Sequence, residues 1–352
     1  MKIVEQEFGK FGDKEVYLIT LTNDNDMQVS ITNFGGIITK ILVKDKHGIL
    51  GDVTLGYDNF ESYINNPPYF GAIIGRYANR IKNGKFALNS ENYQLDINDG
   101  ENHLHGGNIG FGKVLWDYQL FDETSNCGII LTYLSKDGEG GYPGDLNVEV
   151  IYTLTNENEI IIEYNATTDK TTHCNLTNHA YFNLRDGGKS SILDHKIKIN
   201  AESFIPVNKN TIPFGDIYEV KETPFDFTSL KKIGQDIYSD DVQLKNAIGY
   251  DHTFILNGEK DELKEAAIAI DEISGRILKV FTTEPGLQFY TGNHLDDSLI
   301  GKNEVFYNHR NAFCLESQHF PDSPNRPNFP ITILKPGEIY NSTTVYKFSL
   351  SK

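Results

Sequence analysis

Six short segments each set an ionisable or amide side chain beside aromatics and glycine: "GRYANRIKNG" (75–84), "NHLHGG" (102–107), "TNHAYFNL" (177–184), "YDHTF" (250–254), "GLQFYTGN" (286–293) and "CLESQHFPDSPN" (314–325). The side chains they offer are Asn79, Arg80, His105, His179, Asp251, Gln288 and Glu316. All of them hydrogen-bond hydroxyls, and neighbouring tyrosines and phenylalanines stack on apolar sugar faces. That chemistry suits a neutral polyol or sugar bound by a site assembled from many strands. Taken singly, each residue has an ordinary explanation. An arginine or aspartate in a β-protein is more often a surface ion pair or turn residue. His179 reads also as a core histidine bonded to Asn178. Alternation puts Ala312, Cys314 and Glu316 on one strand face, opposite Phe313 and Leu315, so Glu316 is either solvated or lines a cleft.

Two other chemistries fit less well. "GNIGFGKV" (107–114) nearly spells a P-loop, but Val114 stands where a serine or threonine must hold magnesium, and "NHLHG" before it is no apolar strand. No GxGxxG occurs, which leaves a dinucleotide fold without support. His103 and His105 would share a face if their segment were extended, a start for a metal site. The following turn adds no ligand, so only a distant residue such as His179 or Glu316 could complete it.

The elements that must carry these groups read as strands. In "LNVEVIYTLT" the residues Leu146, Val148, Val150, Tyr152 and Leu154 fall on one face. Similar runs occur at 15–22, 27–33, 128–134, 158–167, 275–283 and 343–350, separated by Gly, Asn, Asp and Pro clusters. The pattern predicts an all-β protein, its antiparallel sheets stacked as a large β-sandwich or closed barrel. The segment 261–272 fits a helix or a hairpin leading into "GRILKVF" equally well. No repeat or linker divides the chain, and 1–352 is expected to form a single domain.

A formal charge of −17 opposes nucleic acid and anionic membranes. No run approaches the roughly 20 apolar residues of a membrane helix, and no signal-peptide core is visible. Three dispersed cysteines argue for reduced thiols and against structural zinc. The expectation is a cytoplasmic protein, with no nucleic-acid or membrane partner.

Together the six segments, with "NFGGII" (33–38), "TTEPGLQFYTGN" (282–293) and "LKPGEIY" (334–340), resemble the aldose 1-epimerase (galactose mutarotase) family in the same order along almost the whole chain. The resemblance implies a large antiparallel β-sandwich of the galactose mutarotase type and a cofactor-free, metal-free isomerase. Its substrates would be free aldohexoses, galactose and glucose, in hexose metabolism. It also implies that Asn79, Arg80, His105, Asp251 and Gln288 bind sugar, with Tyr181 alongside. His179 would be the general acid and Glu316 the general base. A monomer or homodimer is expected. Two alternatives stay open: a hexose-6-phosphate epimerase-like enzyme, for which Arg76, Arg80 and Lys82 would form a basic pocket, and a non-catalytic sugar-binding protein on the same fold. Glu284 stands where glutamine is expected and would alter a neighbouring pKa or substrate preference.

Mutarotation needs one acid and one base. Glutamate is ionised near neutral pH at its ordinary pKa, whereas histidine must keep a proton, and nearby carboxylates such as Glu316 are expected to raise its pKa.

Overall fold

A computed structural model describes residues 1–64 and 68–351. Every alternating segment marked above is a strand. Lys14–Thr22 and Gln28–Thr32 lie in a five-stranded sheet. Asn126–Ser135, Leu146–Thr155, Glu159–Thr168, Arg276–Thr282 and Tyr340–Leu350 lie in a nine-stranded one. Among the described residues the α-helices are two short ones, Glu61–Ile64 and Val242–Ala247. No helix there is long and apolar enough to cross a membrane. The ambiguous 261–272 segment resolves as a hairpin, with Lys264–Ile270 pairing antiparallel to Arg276–Thr282. Its alanines and isoleucines alternate between buried and half-buried positions, a period that a helix cannot satisfy.

A third sheet of six strands carries Tyr181–Phe182, Phe313–Gln318, Gly286–Tyr290, Asp251–Leu256, Ala201–Phe204 and Tyr218–Glu219, in that order. One hydrophobic cluster joins side chains of all three sheets, including Ile31 and Ile41, Val150 and Ile162, and Phe289 and Leu315. This is the sandwich the alternation called for, and it fixes which way the six-stranded sheet faces. Phe254, Leu287, Phe289, Phe313 and Leu315 point into the shared core and are essentially fully buried. Each contributes roughly 1.5–3 kcal/mol by leaving water. A one-residue slip would turn them outward and drive Asp251, Gln288 and Glu316 inward, a loss on the order of 10 kcal/mol. That equals the whole net stability of a typical domain, so the register is set by the hydrophobic face.

The core also encloses neutral histidines. His103 bonds the Asp96 carbonyl and the Tyr142 hydroxyl at 2.8 and 2.7 Å, and His195 accepts from the Leu184 N–H at 3.1 Å. Burial pushes His103, His173 and His195 down to about 4 and His252 to about 3. An unfolded histidine titrates near 6.5, so between these values the unfolded chain binds more protons. Stability is therefore whole above about pH 6.5 and falls as pH drops toward 4. Each ring forfeits up to roughly 3 kcal/mol across that window at ~1.4 kcal/mol per unit, and two already approach the stability of many domains. Thermal unfolding followed from pH 7 to 4 should show the midpoint falling steadily, with the fold lost before pH 4; a flat midpoint down to pH 4.5 would contradict this account.

Candidate functional site

The face of the six-stranded sheet turned away from the core presents two cross-strand rows. Thr253 pairs with Gln288 and Gln288 with Glu316; Asp251 pairs with Tyr290, Tyr290 with Cys314 and Cys314 with Tyr181. Above these rows lies a cavity of about 380 Å³, walled by Asp251, Tyr290, Tyr181 and Glu316 from the sheet and by His179, Tyr69, Asn79, Arg80 and His105 from outside it. Its size sits near the small end of the ~300–1,000 Å³ typical of ligand pockets, suited to one small ring.

"TNHAYFNL" reads as one buried strand but is two. Thr177–Asn178 pairs with Ile73–Ile74, Tyr181–Phe182 pairs with Phe313–Cys314, and His179 sits at the break between them. Its neighbouring asparagines do not bond the ring. Asn178 Nδ2 donates to the Gly71 carbonyl and the Tyr152 hydroxyl, and Asn183 Nδ2 to the carbonyls of Ser190 and Asn311. They anchor the backbone on either side of His179. The imidazole stacks on Tyr181 at 5.0 Å and 19° and meets His105 edge-on at 5.1 Å.

The opposite wall is built on unusual backbone. Tyr69, Asn79 and His105 all have positive φ, 60°, 64° and 51°. Such residues persist only where the surroundings overdetermine them, and they concentrate at functional sites. Here the loops clamp each other: the Asn79 N–H donates to His105 Nδ1 at 3.1 Å and the His105 N–H to the Asn79 carbonyl at 3.1 Å. Gly106 follows with φ 86°, and a Cβ there would strike the Gly75 carbonyl oxygen. Arg80 Nε is held by Asp99 at 2.7 Å.

At the centre, His179 Nε2 lies 3.6 Å from Glu316 Oε2, and among the described residues that buried oxygen has no hydrogen-bond partner. Burial pushes the His179 imidazole down to about 4. Burial, reinforced by Asp251 and opposed by Arg80, holds the Glu316 carboxyl well above its ordinary value. The expectation that carboxylates would raise the histidine is overturned, because loss of water around a wholly enclosed ring outweighs the pull of a neighbour whose own charge burial also disfavours. Burial therefore favours the uncharged arrangement of the pair, neutral imidazole beside carboxylic acid, over imidazolium beside carboxylate. Asp251 is raised too, by burial first, with Arg80 and the Gln288 amide pulling it back.

His105, His179 and Glu316 have ligand atoms within 4.8 Å of one another, a set that invites a metal ion. The hydrogen bond into His105 Nδ1 puts its proton on Nε2, so neither nitrogen is free to coordinate while that bond stands. The trio fits hydroxyl recognition better than a cation.

Other residues that the sequence singles out land elsewhere. Gln288 lies behind the cavity wall: its Nε2 donates to Asp251 Oδ1 at 2.5 Å and its Oε1 accepts from Thr253 Oγ1 at 2.5 Å, so it orients Asp251. His103 is a packing histidine and does not share a face with His105. Glu284 faces away from the cavity, bonded to His319 Nδ1 at 2.6 Å and the Tyr340 hydroxyl at 3.1 Å. Burial works against charge on both Glu284 and His319, but mutual attraction wins, and Glu284 is lowered and His319 raised. The neighbouring pKa that Glu284 alters is thus that of His319. Arg76 is buried, its guanidinium spent on Ser135, Lys136 and Pro143. Among the described lining residues Arg80 is the only lysine or arginine. The sequence reading does not find Tyr69, Tyr290, Thr253 or Cys314 as site residues; the last three lie two residues from Gln288, Asp251 or Glu316, the strand period that points to them.

The Aldose 1-epimerase family model matches residues 17–347. Galactose mutarotase of Bos taurus is 44% identical over 327 residues, covering 93% of this chain and 92% of that protein. Aldose 1-epimerase of Escherichia coli K12 is 39% identical over 333 residues, 94% of each. The crystal structure of galactose 1-epimerase from Lactobacillus acidophilus NCFM superposes with a TM-score of 0.89 at 32% identity, covering 100% of this chain and 99% of that one.

The buried carboxyl gives a direct test. Infrared spectra recorded from acid to neutral pH should show a protonated-carboxyl carbonyl band, absent in Glu316→Gln, that persists to higher pH than an ordinary glutamate. A band lost at or below the ordinary carboxylate range would refute the raised carboxyl.

Proposed function

Because the chain belongs to the aldose 1-epimerase family, we infer that it is a mutarotase, an isomerase interconverting the α and β anomers of free aldohexoses, with D-galactose and D-glucose as substrates. The observation that carries the residue assignment is the 3.6 Å approach of His179 Nε2 to the unpartnered Glu316 Oε2 inside a sugar-sized cavity. Two groups this close reach the two oxygens of one anomeric carbon.

Ring opening begins when Glu316, as carboxylate, takes the C1 hydroxyl proton. The C1–O5 bond breaks as His179 gives its proton to O5, leaving an open-chain aldehyde. The C1–C2 bond rotates by about half a turn, and closure returns each proton to its donor. Burial favours the proton on Glu316 over His179. Hydrogen bonds from sugar hydroxyls to the Glu316 carboxylate stabilise its charged form and move the proton to His179. His105 Nε2–H, Arg80 and Asn79 contribute hydrogen bonds to the sugar, Asp251 accepts from it, Gln288 holds Asp251, and Tyr181 packs beneath His179.

Support for a phosphosugar substrate is weak: Arg76 is committed to backbone carbonyls, and the charge of Arg80, whose Nε bonds Asp99, is offset by that carboxylate, which leaves its other nitrogens for neutral hydroxyls. A single domain over 1–352 fits the shared core.

Polarimetry of freshly dissolved α-D-galactose, with EDTA present, tests the reading: the protein should speed relaxation of optical rotation. His179→Asn and Glu316→Gln should each lower kcat by roughly 10²–10⁴-fold. Wild-type turnover in either variant would remove that residue from the mechanism. The profile of kcat/KM should be a bell, since activity needs one proton on the pair. With His179 lowered and Glu316 raised, its acid limb should lie below the ordinary imidazole value and its alkaline limb above the ordinary carboxylate value.

A further inference from the structure

His179 is almost wholly enclosed, and its surroundings differ at the two ring nitrogens. Nε2 faces the cavity and Glu316. Nδ1 faces away from it, with Cys314 Sγ at 3.6 Å. Tyr181 stacks against one ring face, Tyr69 lies over the ring at 6.1 Å and 25°, and His105 closes the edge. Among the described residues no carboxylate is bonded to Nδ1; the acids nearby, Glu316 and Asp251, belong to the cavity. The histidine's own backbone carbonyl, which accepts the Gly71 N–H at 3.0 Å, is also within hydrogen-bonding reach of the ring and is the competing acceptor. Cys314 is held by register, since it pairs with Tyr181 on one side and Tyr290 on the other, and it shares a strand face with Glu316. The thiol is wholly buried, and burial keeps it protonated.

Only one tautomer serves the cycle. If Nε2 gives a proton to O5 and takes it back, the ring alternates between imidazolium and the neutral form that carries its hydrogen on Nδ1. That hydrogen must have somewhere to point. We propose that Cys314 is a positioning residue: its sulfur accepts the Nδ1–H of His179, fixing the tautomer that leaves Nε2 as the proton-transferring atom. Sulfur is a weak acceptor. A carboxylate in its place would bind the imidazolium strongly and make it a poorer acid toward a hemiacetal oxygen, which is itself a very weak base. The thiol therefore orients the ring without strengthening its hold on the proton.

The kinetic half of this proposal rests on the mutarotase reading, but the tautomer can be observed without sugar. Nitrogen-15 spectra of the ligand-free protein at neutral pH, with the His179 signals assigned by their absence in His179→Asn, should show Nδ1 protonated and Nε2 bare. Cys314→Ser, which keeps an acceptor, should retain that tautomer and most of kcat. Cys314→Ala should shift the ring toward the Nε2–H form and lower kcat by about tenfold or more, with KM within about twofold. A wild-type ring protonated on Nε2 would overturn the proposal. So would Cys314→Ala that leaves tautomer and kcat unchanged. If Cys314→Ala does not fold, the wild-type spectrum and the Cys314→Ser kinetics still decide the matter.

Discussion

The site depends on one strict alternation. In the six-stranded sheet, Phe254, Leu287, Phe289, Phe313 and Leu315 face the core, and that commitment throws Asp251, Gln288, Tyr290, Cys314 and Glu316 onto the other face. Polar groups from three strands are thereby aligned in rows by the hydrophobic effect, with no bond of their own needed to place them. Hydrogen bonds then refine what register has set: Thr253 holds Gln288, and Gln288 holds Asp251.

That arrangement creates an electrostatic tension. Asp251 and Glu316 are both raised, chiefly because burial strips away most of their hydration, and His179 is lowered for the same reason. Water-starved groups of this kind gain much from the correct hydrogen-bonding ligand and little from bulk solvent. Glu316 Oε2 is the clearest case: among the described residues it is buried without a hydrogen-bond partner.

Much of this is legible in the sequence, and the departures have physical causes. Strand positions follow from period two, and the side of Glu316 from its small and apolar neighbours. The break at His179 is hidden, because local propensity does not reveal that Thr177 pairs back toward Ile74 while Tyr181 pairs forward to Cys314, near the other end of the chain. Glu284 stands in the sequence four residues before Gln288, but the bend at Pro285 sends it toward His319. The His179 shift runs opposite to expectation because charge is countable in a sequence, whereas enclosure is a property of the fold.

The cavity's walls also differ in how freely they can change. Strand-borne Asp251 and Glu316 are fixed by the core behind them, and Tyr69, Asn79 and His105 occupy left-handed backbone that disfavours β-branched replacements. On the rim, His294, Asp296, Ser298 and Leu299 have neither restriction: none of these residues carries a positive φ or belongs to a strand, and none is buried in the core as Leu295 is. For directed evolution of substrate range, those four positions are the place to diversify, since new side chains there alter what the rim admits while leaving His179 and Glu316 untouched.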